Sequence, residues 1–193
     1  MQILMRQLSG DGVKQISQQI GADEGTTNQA IGTALPVLIS ALARNSSQPS
    51  GAEDLHRALQ NDHDGSILDN VSGYLGGNPS ASNGAAILGH VLGSRQDNVT
   101  NALAQQTGLN TGSIAQLLKM LAPMVMGALG KTQSQSGFDP GSLSGYLNGQ
   151  RQQAESASPD MMGMLTSLLD SNKDGSVLDD LGNIASKFLK NQH

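Results

Sequence analysis

The chain has 193 residues and a formal net charge of -5, with no Cys, no Trp, two Phe and two Tyr against eight Met and 24 Gly. The absence of Cys excludes disulfides, thiolate metal sites and a cysteine nucleophile, and the acidic balance gives no general attraction to nucleic acid or anionic lipid. A core poor in aromatics and rich in small and linear apolar residues suits close helix packing better than a sheet.

The opening MQILMRQLSGDG lacks a basic stretch followed by an apolar one, so no secretory signal is read and the expected compartment is the cytoplasm. Val13, Ile16 and Ile20 recur at helical spacing and Gly21 is placed to end that helix. Asp23 reads as the N-cap of a second helix carrying Ile31, Leu35, Leu38, Ile39 and Leu42 along one side. Pro36 within it predicts a kink or break at Leu35. Residues 44–52 read as a polar connector and 53–60 as a short helix. Asp64 and Gly65 make a turn, after which Ser66 and Asp69 start a helix over 67–75 in capping-box style.

Residues 76–84 (GGNPSASNG) are the clearest linker, followed by a short helix over 85–92. The segment 100–131 then repeats 13–44 without a gap, 87 positions later: Gln18-Gln19 pairs with Gln105-Gln106, Gly21 with Gly108, Asp23 with Asn110, Gly25 with Gly112, Pro36 with Pro123 and Leu42 with Leu129. Asn110 takes the place of the Asp23 cap, and Pro123 predicts a second kink or break at Ala122. Residues 130–141 and 149–159 read as Gly-, Ser- and Gln-rich connectors around a short helix over 142–147. A Met-rich helix over 160–169, a second DGS turn and a last helix over 178–189 complete the chain. No stretch alternates with period two, so the fold class is all-α and multihelical.

The element DHDGSILDNV, residues 62–71, also returns as NKDGSVLDDL, residues 172–181, at a spacing of 110. The chain therefore reads as two tandem diverged copies of a unit built from a helix-turn-helix and a DGS-turn-helix. The first copy covers 1–75, a linker with a short helix covers 76–98, and the second copy with its insertion covers 99–193.

The helix-turn-helix segment at 103–118 invites a DNA-binding reading. A recognition helix needs cations and amides facing base edges and phosphates. The helix over 24–43 has no Lys or Arg and that over 111–130 has only Lys119, so no nucleic-acid partner is expected. In the second DGS turn Asp170, Asn172, Asp174 and Gly175 occupy positions 1, 3, 5 and 6 of a calcium-loop pattern, with Val177 at the apolar position 8. Asp170, Asn172 and Asp174, the Ser176 carbonyl and Asp179 or Asp180 are the candidate ligands. The bidentate Glu expected at position 12 is Leu181, so the expectation is a structural turn with weak calcium binding at most. At the first turn Gln60 and Val71 fill the end positions, a poorer match.

His56, His63 and His90 show no metal-ligand spacing. No GxSxG or phosphate-loop pattern occurs, so no enzyme is expected and no cofactor is assigned. Met120, Met124 and Met126, with Met161, Met162 and Met164, read as filler of a core short of aromatics, with an adaptable protein-binding surface as the alternative. The longest weakly polar runs, 30–43 and 117–130, are too short to span a bilayer.

The segments QQIGADEGTTNQAIGTALPVLISAL, LQNDHDGSILDNVSGYLGG and AAILGHVLGSRQDNVTNALAQQTGL resemble the bacterial family known as domain of unknown function 937, over most of residues 1–131. The second helix corner, with LAQQTGL and its internal proline, also resembles the small YidB-type bacterial proteins. The resemblance implies an all-helical bacterial protein and assigns no activity, cofactor or catalytic residue. The expected role is non-enzymatic mediation of contacts with a protein partner whose identity the residues withhold. A calcium-responsive protein using the loop at 170–181 is the alternative.

Overall fold

The computed structural model describes residues 4, 8, 10–77 and 83–157, and every regular element among them is helical. Helix α1 (Asp11–Ile20) ends at Gly21, whose left-handed φ of 69° suits glycine. Helix α2 (Glu24–Asn45) begins at Asp23, whose Oδ1 accepts the Thr26 N–H at 2.8 Å. Then come α3 (Pro49–Asn61), a 3₁₀ turn (Ser66–Asn70), α4 (Val71–Gly76), α5 (Gly84–Leu92), α6 (Gln96–Thr107), α7 (Thr111–Ser136) and α8 (Pro140–Ala157).

The corners α1–α2 and α6–α7 share their local geometry. Gly108 closes α6 with φ 73°, and Asn110 Oδ1 accepts the Ser113 N–H at 2.8 Å. The two capping residues have nearly the same backbone, φ -72° and ψ 160° at Asp23 against φ -71° and ψ 157° at Asn110. A Cβ at Gly25 or at Gly112 would stand 3.1 Å from the capping oxygen in either corner, so glycine leaves the cap room.

Neither internal proline breaks its helix: α2 runs through Pro36 and α7 through Pro123. The cost of a proline in a helix interior, about 3 kcal/mol, is outweighed by burial, since both helices are covered on nearly all sides. In α2 the carbonyl left without its helical donor belongs to Gly32, which is exposed to water. In α7 it belongs to Lys119, and a Cβ at Gly84 would lie 2.1 Å from that oxygen, so the start of α5 packs directly on the freed carbonyl. The Tyr74 hydroxyl donates to the neighbouring Met120 carbonyl at 3.3 Å.

The connectors expected at 130–141 and 149–159 are also largely helical in the described part. Helix α7 continues to Ser136, and α8 fills 140–157 around the short helix expected at 142–147. Asp139 caps α8 through the Ser142 N–H at 2.7 Å, with Pro140 at the first helical position.

The two proline-bearing helices form the centre. Helix α1 lies on α2, α4 and α7; α6 crosses both α7 and α2; α5 packs on α7; and α3 and α8 close the remaining sides. The corners are joined by the buried Ser113 hydroxyl, which donates to the Ile20 carbonyl at 2.7 Å. Met120, Met124 and Met126 are all buried, which places them in the core. Met161, Met162 and Met164 lie outside the described residues. Among the described helices α7 is long and apolar enough to cross a membrane, longer than the run of 117–130 suggested, and 78% of its apolar window is buried inside the fold.

Candidate functional site

The first DGS turn is built as a plug for α7. The Asp64 carboxylate accepts the Ser66 N–H at 2.9 Å, which fixes the turn and holds its pKa below the usual carboxylate value. The Ser66 hydroxyl also bonds the Asp64 carboxylate, and no side chain caps the turn that follows. The chain enters the 3₁₀ turn, and α4 starts only after Asn70, whose Oδ1 accepts the Gly73 N–H at 2.9 Å.

The turn sits where α7 has only hydrogen for a side chain. A Cβ at Gly127 would come within 2.3 Å of Ile67 Cγ2, and one at Gly130 would stand 1.6 Å from the His63 carbonyl oxygen. Gly65, with φ 97°, presses on Lys131. Lys131 then reaches over the turn and donates from Nζ to Asp69 Oδ1 at 2.8 Å. His63 is half-buried there, and desolvation lowers its pKa against the opposing pull of Asp62 and Asp64. His56 is engaged elsewhere, its Nε2 2.9 Å from the Phe138 carbonyl oxygen.

In this turn Asp64 fixes the backbone and Asp69 pairs with Lys131. Among the described residues no group of three or more His, Asp or Glu side chains could hold a metal ion. Asp170, Asn172, Asp174, Ser176 and Asp179, the candidate ligands of the second turn, lie outside the described residues. The second helix of the α6–α7 corner is buried along most of its length, including Ser113, Ile114, Leu117 and Leu118, so it has no long face to lay in a DNA groove.

A half-open cleft of about 350 Å³ lies beside the plugged turn. Leu59, Gln60 and Asp64 line it from one stretch of the chain, and Gly130, Gln133, Ser134, Gly137 and Phe138 from the other, along the end of α7 and the turn into α8. Gln133 is 5% exposed, and its side-chain carbonyl oxygen is buried without a hydrogen-bond partner. Phe138 is held by Tyr146, their ring centroids 5.4 Å apart. Sequence reasoning missed this second stretch because it took 130–141 for a connector. The pattern Asp139-Pro140-Gly141-Ser142, a cap followed by a proline at the first helical position, was the signal that a helix starts there and that the preceding turn is fixed.

No curated protein and no solved structure matches the chain. The family model described as a bacterial protein of unknown function (DUF937) matches residues 2–132, which takes in Leu59, Gln60, Asp64 and Gly130 of the cleft lining and ends just before Gln133. The DGS turn, its glycine seat on α7 and both helix corners all fall within that match, and the chain belongs to the DUF937 family of bacterial proteins.

Proposed function

We propose that this protein mediates contacts between proteins and performs no chemistry of its own, and that a segment of its partner enters the cleft between the DGS turn and the α7–α8 turn. The observation that carries this reading is the half-open cleft of about 350 Å³, lined by Gln60, Asp64, Ser134 and Phe138 beside a turn whose backbone Asp64 fixes. The test is a photoreactive side chain at Ser134 in the native host, with exposed Gln105 on α6 as the control position. A discrete protein adduct from Ser134 and none from Gln105 is expected. Equal labelling from both positions, or none from Ser134, would reject the reading.

The calcium alternative rests on the spacing of Asp170, Asn172 and Asp174. Since position 12 is Leu181, binding is expected to be weak, around millimolar or beyond. Calorimetry of the full chain beside Asp170→Ala and Asp174→Ala decides it, and micromolar binding lost in both variants would put the calcium reading first.

A further inference from the structure

The sequence holds two Asn-Gly pairs, Asn83-Gly84 and Asn148-Gly149, and the fold treats them differently. In such a pair the glycine amide nitrogen can reach the asparagine side-chain carbonyl carbon, because no Cβ on the glycine blocks the approach. Asn148 lies in the middle of α8, and its Nδ2 donates to the Ser144 carbonyl at 3.1 Å. The Gly149 N–H belongs to the helical ladder, so both reacting groups are held. Asn83 is the exposed residue before α5, and its side chain makes no capping hydrogen bond. Gly84 is the first helical residue, a position whose N–H has no acceptor within the helix. The Asn83 backbone, at φ -53° and ψ 0°, must turn about ψ to bring the Gly84 nitrogen onto Asn83 Cγ. That rotation breaks a bond of the first turn, from the Ile87 N–H to the Asn83 carbonyl at 2.8 Å. Opening a helix end costs little, whereas the same rotation at Asn148 unwinds a helix from its middle.

We propose that Asn83 is a site of spontaneous deamidation, and that the modification loosens the contact between α5 and α7. The Gly84 amide nitrogen gives its proton to solvent and attacks Asn83 Cγ; a C–N bond forms, and the side-chain nitrogen takes up a proton and leaves as ammonia. Water then opens the cyclic imide at one of its two carbonyls. The net change is amide plus water to acid plus ammonia, with no oxidant or reductant. The two products act in opposite directions. Opening toward the side chain leaves aspartate, whose carboxylate stands at the N-terminus of α5 and stabilises it. Opening toward the backbone leaves an isoaspartyl linkage, which inserts a methylene into the main chain immediately before Gly84. Gly84 has no room to shift: a Cβ on it would lie 2.1 Å from the Lys119 carbonyl oxygen of α7. The isoaspartyl chain therefore loses the seat of α5 on α7.

The experiment keeps the full chain in mildly alkaline buffer, folded or in urea, and follows its proteolytic peptides by mass spectrometry for the conversion of amide to acid. Isoaspartate is read by enzymatic methylation of its free carboxylate. In urea the two pairs should react at similar rates. In the folded chain Asn83 should react about tenfold or more faster than Asn148. Hydrogen exchange at Ile87 and Leu88 should quicken as isoaspartate accumulates. In Asn83→Ser, which keeps a capping side chain and cannot form the imide, exchange at these amides should stay constant over the same period. Similar rates at Asn83 and Asn148 in the folded chain, or an Asn83 that reacts in urea and not when folded, would overturn the site. Unchanged exchange at Ile87 and Leu88 in a chain rich in isoaspartate would overturn its effect on α5.

Discussion

Helices α2 and α7 begin alike and end differently. Each follows a glycine-closed helix, is capped by an Asx side chain over a glycine, and passes through a proline twelve residues after its first. In the last turns before residue 131, however, α7 has Gly127 and Gly130 where the 87-residue register gives α2 Ser40 and Ala43. The backbone of the DGS turn rests on α7 at those two glycines. On α2 the corresponding Ala43 is fully buried, so its methyl fills the space that α7 leaves to a carbonyl. Two small side chains thus decide which of two similar helices receives a loop and which receives helices, because interiors packed at crystal density have no room to accommodate both. The two corners thus share their caps and differ in what rests on the helix that follows.

The sharpest way to break this comparison is to exchange the two positions. Gly130→Ala drives a Cβ against a backbone carbonyl that only a shift of the whole turn can relieve. It should cost about 3 kcal/mol in urea unfolding. Ala43→Gly, which opens a small void and loosens the helix, should cost only about 1 kcal/mol. Equal losses would mean that the turn is not seated as described.

The caps test the similarity rather than the difference. Asn110→Ala should cost about 1 kcal/mol by removing the acceptor for the Ser113 N–H. Asp23→Ala should lower the unfolding midpoint in the same direction, and the two effects should add because the caps share no partner. A neutral result at either site would show that water caps that helix equally well.

Smaller effects come from the rim of the turn. Lys131→Met removes the bond to Asp69, a pair that is largely exposed, and should cost about 0.5 kcal/mol, less at high salt. His63 supplies the pH dependence. Burial lowers its folded pKa below the ordinary 6.5, so the unfolded chain takes up the proton first as pH falls. Its contribution to stability is therefore full above about pH 6.5 and declines as pH falls below that value toward the folded pKa. His63→Gln should shrink the loss of stability between about pH 7.5 and about pH 5.5. Asp23, Asp64 and Asp139 act in the opposite region, since their lowered pKa values bring a loss only below about pH 3.8. An unchanged slope in the His63 variant would place the titrating group elsewhere.

The all-α class, the two corners, the caps at Asp23 and Asn110 and the C-terminal glycines Gly21 and Gly108 were legible in the sequence because each depends on a few neighbouring residues. Periodicity sets the helix face, and a short polar side chain or a left-handed glycine sets its end. What the local rules got wrong depends on distant partners. Pro36 and Pro123 carry the same local penalty as any interior proline, and burial of both helices outweighs it. Ser66 has the chemistry of a cap, but its hydroxyl bonds Asp64 and the turn is pressed onto Gly127 and Gly130, which lie far along the chain. The Gly- and Ser-rich stretch after Lys131 has weak helix propensity, yet it becomes helical as α8 packs on α2 and α3. The cleft follows from that packing: its lining comes from residues 59–64 and 130–138, and only the tertiary fold brings Asp64 and Gln133 to one space.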